Sequence, residues 1–151
     1  MSYPEGLIDL AVDLVLQKAP TQAYFRRAVS TAYYALFHEL TQAAVNEWKI
    51  ERHRSGLVRT IEHRRVKFVC DEVGKDRASP DDLKKVAESF VQLQQDRHSA
   101  DYDLTRVWSE TEAYTCVQTA SKALSAWAEV QEHPAAEDFL TRILFPKDPS
   151  R

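Results

Sequence analysis

The sequence predicts an all-α protein, an antiparallel up-and-down bundle of four principal helices with one or two short extra helices. Only three glycines occur in 151 residues, which argues against all-β folds, tight hairpins and glycine-rich phosphate loops. Apolar residues recur at spacings of three and four along most of the chain, as on helices that face a core. Prolines, serines and acidic residues stand where helices would begin. The length fits one domain over 1–151, with a helical core over about 5–131.

The first predicted helix begins in the turn that contains Pro4 and extends to Lys18. Pro20 separates it from a long second helix over residues 21–48. That second helix is apolar most of the way round, which is typical of a central, buried helix.

The next helix starts are marked by local signals. Gly56 opens the third predicted helix, and Gly74 fits its C-terminal cap. Ser79 is the expected N-cap of the fourth helix, with Pro80 at its first position. A capping box that begins at Ser109 starts the fifth helix.

A short C-terminal helix is expected over about 134–145. It begins at Pro134 and ends before Pro146, and the tail to residue 151 is expected to be loose. No repeat and no linker divides the chain, so we expect one domain.

The formal net charge is −3, but the charge is distributed unevenly. Residues 49–67 hold seven Lys or Arg against two Asp or Glu. A local basic patch on an acidic chain indicates phosphate or an acidic partner. The alternative is a solvated basic face that pairs with the acidic remainder. The candidate phosphate-binding residues of this block are His53, Arg54, Arg59, Arg64 and Arg65.

The end of the fourth helix gathers polar groups. Arg97 follows Phe90 by two helical turns, so its cation lies in phase with the apolar face and needs a partner. Asp101 stands four residues further on, at ion-pair spacing, and His98 and Tyr102 lie beside the pair. Two interpretations stay open: a structural pair that fixes the bundle end or a dimer seam, and a phosphate-binding site.

A second polar set lies on the long helix. Ser30, Tyr34, His38 and Gln42 follow one another at intervals of four, which places them on one side. The simplest interpretation is a polar stripe with a hydrogen-bonded histidine. Tyr34 is one of several tyrosines that could stack on bases, although core packing explains most of them.

Several classes of site are disfavoured. Two cysteines, Cys70 and Cys116, are too few for a disulfide scaffold or a four-cysteine zinc site, and both lie among apolar positions as packed thiols. No metal-binding histidine motif or calcium loop occurs, so neither a metal nor a cofactor is expected. The apolar runs are too short to span a membrane, and the N-terminus lacks a basic signal-peptide region. The expected location is the cytoplasm.

Three segments, in order, resemble the HEPN domain family of bacteria and archaea. RRAVSTAYYALFHEL over 26–40 resembles its long-helix signature, HRSGL over 53–57 its His-x-x-Gly element, and RHSADYD over 97–103 its Arg-x-x-x-Ala-Asp-Tyr element. The Ser-x-x-Glu start at Ser109 resembles the last core helix of one family branch. The resemblance spreads over about 24–130.

This resemblance implies a helical bundle that commonly forms a homodimer. In active family members an Arg, four to six arbitrary residues and a His lie at a helix end. Two such motifs face one another across the dimer and form a composite, metal-independent ribonuclease site. The arginine would neutralise charge on the phosphorane, and the histidine would transfer protons. Many members are toxins paired with a small nucleotidyltransferase antitoxin, and others bind without catalysis.

This chain departs from the nuclease pattern. Arg97 matches the arginine, but Tyr102, Asp103 and Leu104 stand where histidine would be, and His98 follows Arg97 directly. Enzyme activity is therefore an open question, with Arg97, His98, Asp101 and Tyr102 as candidate catalytic residues. One hypothesis is an RNA-binding or RNA-cleaving toxin-like protein. The alternative is a non-catalytic helical module that binds a nucleotide or a protein.

Overall fold

A computed structural model describes residues 1–145, and the predicted stop at Pro146 and the tail beyond it lie outside this range. The described chain contains seven α-helices, one short 3-10 turn and no strand. The helices are α1 (Tyr3–Val15), α2 (Gln22–Asn46), α3 (Arg54–Thr60), α4 (His63–Lys75), α5 (Asp81–Tyr102), α6 (Glu110–Val130) and α7 (Pro134–Leu144), with the 3-10 turn at Glu51–His53. The all-α prediction is confirmed.

Helix α2 lies at the centre of the fold. It packs against α1, α5, α6 and α7 and also contacts α3, while α4 packs on α5 and α7. Ala28, Tyr33, Leu36 and Leu40 of α2 are completely buried. The prediction of a central, buried second helix is confirmed, and the apolar residues that surround it explain why one helix can contact so many others.

Two helices begin with capping boxes. The Ser109 hydroxyl accepts from the Glu112 backbone N–H at 3.1 Å, and the Glu112 carboxylate accepts from the Ser109 N–H at 3.1 Å. The same reciprocal pair joins Ser2 and Glu5 at the start of α1. The prediction at Ser109 is confirmed, and the box at Ser2 is an additional cap of the same kind.

The prediction of a single third helix is wrong, because this segment forms two helices. The chain forms α3 and then α4, separated by Ile61 and Glu62 in extended conformation. Ile61 is only 7% exposed and belongs to the core, so the backbone leaves the helix where this side chain turns inward. Gly56 does not open a helix, because α3 has already begun at Arg54.

The expected caps around Gly74 and Ser79 are also wrong. Gly74 lies inside α4 without a positive φ, and a Cβ there would lie 3.4 Å from Cγ of Glu88 on α5. The N-cap of α5 is Pro80. The Ser79 hydroxyl instead donates to the Val73 carbonyl at 2.9 Å, which ties the loop back to the end of α4.

The loop after α5 is fixed by two side chains of α2. Gln22 and the Trp108 backbone exchange two hydrogen bonds, of 2.6 and 2.8 Å. Arg26 donates to three backbone carbonyls at and beyond the end of α5, those of Ala100, Asp103 and Arg106. These carbonyls have no partner within the helix, so Arg26 satisfies them and holds the end of α5 against α2.

Within the described residues, none of the helices is both long enough and apolar enough to cross a bilayer.

Candidate functional site

Arg97 is held between α5 and the tyrosines of α2. Its side chain is 14% exposed, and its guanidinium carbon lies 4.9 Å from the ring centroid of Tyr33 and 5.8 Å from that of Tyr34. One terminal nitrogen lies 3.4 Å from Asp101 Oδ2. Both predictions for this residue are confirmed: Arg97 lies on the inner face of α5, and Asp101 is its partner.

The inner side of the Arg97–Asp101 pair is buried, whereas the Asp101 carboxylate is partly exposed. The Nε of Arg97 is buried and has no acceptor among the described residues. The Asp101 side chain is 27% exposed and accepts a 3.3 Å hydrogen bond from the Ser30 hydroxyl. A ligand would therefore meet the terminal nitrogens of the guanidinium beside Asp101, because the unpartnered Nε–H lies inside the fold.

His63 joins this cluster from the start of α4. Its Nδ1 lies 2.6 Å from the Tyr33 hydroxyl, and its ring stacks on Phe37 at a centroid distance of 4.0 Å. Burial raises the pKa of Tyr33, so the phenol keeps its proton, and the tautomer of the imidazole decides which partner donates in this hydrogen bond. Burial, and then the charge of Arg97, lower the pKa of His63, so its ring is neutral near pH 7.

An aromatic row leads away from Arg97 along α2. We use this term for Tyr34, His38 and Tyr3. The His38 ring lies 6.0 Å from Tyr34 and 5.2 Å from Tyr3, and the Tyr3 side of the row is open, with 66% of that residue exposed. Burial lowers the pKa of His38. The hydrogen-bonded histidine expected in the polar stripe of α2 is wrong, because among the described residues the His38 ring contacts Tyr34 and Tyr3 and makes no hydrogen bond.

His98 and Tyr102 lie in a different place from the Arg97 guanidinium. Their rings are 5.0 Å apart, and both line a groove of about 610 Å³ together with Lys67 of α4 and neighbouring residues of α5. Tyr102 is 66% exposed. Of the four candidate catalytic residues, the fold joins Arg97 to Asp101 directly and places the other two on this neighbouring groove.

The basic residues of the segment 49–67 fall into two groups: some donate hydrogen bonds to backbone carbonyls, and others are exposed. Arg54 donates to the Trp48 carbonyl at 2.9 Å, and Arg65 donates to the Ile143 carbonyl at 3.2 Å, so each satisfies a backbone group near a helix end. Arg64 is exposed and pairs with Glu62 at 2.9 Å. The exposed residues His53 and Arg59 make no side-chain hydrogen bond with the described residues and remain available to a ligand.

The cysteines are packed thiols, as predicted. Both are buried, and burial raises the pKa of each. Cys116 also donates to Asp96 Oδ2 at 3.4 Å. Residues 1–145 contain no cluster of three or more His, Cys, Asp or Glu that could hold a metal ion.

No protein-family model matches this chain, and comparisons with curated proteins and with solved structures give no match. Residue roles therefore have to be inferred from geometry. The geometry brings the Arg97 cation, two neutral imidazoles and the exposed ring of Tyr3 to one side of α2.

Proposed function

We propose that this chain is a HEPN-like RNA-binding protein, the toxin-like component of a two-gene module, which holds single-stranded RNA along the aromatic row. The observation that carries the proposal is the continuity from the Arg97 guanidinium through Tyr34 and His38 to the open ring of Tyr3. Single-stranded nucleic acids are held by aromatic rings on which bases stack and by cations that contact the backbone.

The two parts of the site have complementary roles. Arg97 supplies positive charge and its terminal N–H groups for a phosphate. Arg27 extends the positive charge, because it is exposed on α2, three residues before Ser30, and has no ion pair among the described residues. Tyr3 offers an exposed face on which any base can stack, and the half-buried Tyr34 packs against the core beside Arg97.

The proposal includes a HEPN-like arrangement of four principal helices, which are α2, α4, α5 and α6. It is supported by contacts of α2 with α5 and α6, of α4 with α5 and of α5 with α6. A homodimer, a nucleotidyltransferase-type antitoxin partner and a cytoplasmic location are further parts of the proposal, which rest on the sequence resemblance.

Cleavage of the bound RNA would need a proton acceptor near the phosphate. Among the described residues, His38 is the imidazole of the row without a hydrogen-bond partner, and its lowered pKa keeps it neutral and able to accept a proton. The Nδ1 of His63 is occupied by Tyr33. Cleavage would therefore depend on His38, whereas binding depends on Arg97 and the tyrosines.

The test is RNA affinity, measured by fluorescence anisotropy with a labelled single-stranded oligouridine. Tyr3→Ala is expected to weaken binding about 5- to 160-fold, since stacking on one ring contributes about 1–3 kcal/mol. Tyr3→Phe keeps the stacking ring and should bind like the parent protein. Tyr114→Ala is the control, because that tyrosine lies on α6, outside the aromatic row, and is also exposed.

Arg97→Met should also lower the affinity and reduce the salt slope by about 0.7, the value for one phosphate on a single strand. The same samples, incubated with EDTA, report cleavage as RNA ends with a 2′,3′-cyclic phosphate, which His38→Gln should remove. RNA binding that is absent, or equal in the Tyr3→Ala and Tyr114→Ala variants, would contradict the proposal.

A second candidate function, a protein-interaction module, is favoured by the loop after α5. Leu104 and Val107 are 84% and 76% exposed on a loop that Gln22 and Arg26 hold in place. A fixed loop with exposed apolar side chains is typical of a docking surface. Replacing both apolar residues with Asp should leave RNA affinity unchanged if this surface serves a protein partner instead.

A further inference from the structure

The groove of about 610 Å³ between α4 and the second half of α5 has the size of a ligand site, and we call it the α4–α5 groove. Its α5 wall includes Gln94, His98 and Tyr102, which lie four residues apart and therefore on one side of the helix. Among the described residues, the lining contains one Lys and one Asp, Lys67 and Asp103, and much of its surface is apolar. The groove therefore suits a flat, neutral polar group better than a phosphate.

The packing of the two helices places Lys67 opposite Gln94. Helices α4 and α5 are antiparallel, because Gly74, near the end of α4, faces Ala87 and Glu88 near the start of α5. Moving from this contact by seven residues, or about two turns, back along α4 and forward along α5 leads to Lys67 and Gln94. Both residues line the α4–α5 groove, so they reach one end of it from opposite walls.

Both of these side chains present hydrogen-bond donors at that end. The Oε1 of Gln94 is enclosed without a partner, whereas its Nε2 is accessible and makes no hydrogen bond with the described residues. The reverse orientation of the amide would enclose two unpartnered hydrogens instead of one oxygen. The ammonium group of Lys67 contacts Asp71 at 3.4 Å and keeps N–H groups that this single contact does not use. A ligand at this end of the groove must therefore bring acceptors.

Two aromatic rings continue the groove beyond these donors. His98 lies one turn and Tyr102 two turns after Gln94, and the two ring centroids are 5.0 Å apart. Exposed rings of this kind stack on bases that a single strand turns outward. Arg97, the proposed phosphate contact, directly precedes His98 in the chain. A strand held at Arg97 can therefore place one of its bases in the neighbouring groove.

We propose that the α4–α5 groove binds a guanine base of the RNA, whose O6 and N7 accept hydrogen bonds from Lys67 and Gln94 while its ring lies against His98 and Tyr102. Guanine carries two adjacent acceptors on this edge, whereas adenine carries a donor beside N7 and uracil offers a single oxygen. This inference rests on the proposed RNA binding and adds a base preference to it.

The test compares labelled oligouridines with one central nucleoside replaced, and it measures their affinity for the intact protein by fluorescence anisotropy. The strand with one guanosine should bind about 5- to 160-fold more tightly than the all-uridine strand, which is the discrimination of one good bidentate contact. Inosine keeps O6 and N7, so its strand should bind like the guanosine strand. The strands with adenosine or with 7-deazaguanosine, which lacks N7, should bind less tightly.

Gln94→Leu should bind the guanosine and uridine strands equally and keep the parent affinity for the uridine strand. It should not lower the unfolding temperature, because it removes an enclosed oxygen that has no partner. Lys67→Met should also lose the preference for guanosine. Gln92→Leu is the matched control, because this exposed glutamine of α5 lies outside the groove and bonds to Asp96. It should keep the preference.

The outcomes separate this proposal from the proposed function. If no strand binds, both fail. If the uridine strand binds but guanosine adds no affinity, the groove proposal alone is overturned. It is also overturned if adenosine and guanosine add equal affinity, or if Gln94→Leu keeps the full preference for guanosine.

Discussion

Replacing the Arg97–Asp101 pair with neutral groups separates a structural role from a binding role. The double variant Arg97→Met/Asp101→Asn keeps an unbranched side chain against Tyr33 and keeps an acceptor for the Ser30 hydroxyl. If the pair holds the bundle together, stability should fall sharply. If it is retained to bind an anion, stability should change little while RNA affinity falls.

The geometry favours a small change. The contact is a single 3.4 Å approach between side chains that are 14% and 27% exposed, so the pair contributes about 0.2–1 kcal/mol. The guanidinium 4.9 Å from the Tyr33 ring adds about 0.5–2 kcal/mol. Against these terms, the buried Nε without an acceptor costs about 1–3 kcal/mol, which the double variant removes. The net effect should lie within about 2 kcal/mol of zero.

Urea unfolding, followed by circular dichroism at neutral pH, gives the free energy of unfolding for the parent and the double variant. A measured loss above about 3 kcal/mol would refute the reasoning, because a loss of that size is typical of breaking a buried pair that the fold requires. The single variant Arg97→Met should be less stable than the double variant, since it leaves Asp101 without its cation.

Two further predictions concern the end of α5 and the imidazole beside Arg97. Arg26→Ala should lower the free energy of unfolding by about 2–4 kcal/mol, because three carbonyls lose a charged donor. The control variant Arg27→Ala should change the free energy of unfolding by less than about 0.5 kcal/mol. Equal losses for the two variants in urea unfolding would contradict the capping role of Arg26. The folded-state pKa of His63 lies below its ordinary value of 6.5. As the pH falls, the unfolded chain therefore takes up a proton at His63 before the folded chain does. The free energy of unfolding should thus decline as the pH falls below 6.5. Thermal unfolding across that pH window should show a smaller loss of stability in His63→Gln than in the parent protein. The control His98→Gln, at an exposed site, should lose as much stability as the parent. A parent-like loss in His63→Gln would show that His63 is not its cause.

Local signals in the sequence determined much of the fold. The spacing of apolar residues identified the helices, because one face of each must be buried. The box at Ser109 was readable because a capping box involves only residues three apart. The Arg97–Asp101 contact was readable for the same reason, since both partners lie one turn apart on one helix.

Contacts between distant segments were not readable in this way. The sequence contained no signal that joins Tyr33 to His63, thirty residues away, because that hydrogen bond depends on how α4 packs beside α2. Arg54 and Arg65 looked like free cations, yet their acceptors are carbonyls six and seventy-eight residues away. The break at Ile61 likewise depends on a core position that only the packed helices create.

The sequence by itself determined that this chain is helical, that α2 is buried and that Arg97 needs a partner, because helical periodicity and the cost of burying charge act within a few turns. Only the tertiary structure decided which groups surround Arg97 and which basic residues are occupied by backbone carbonyls. Those arrangements join several helices, and their distances are fixed by packing rather than by spacing along the chain.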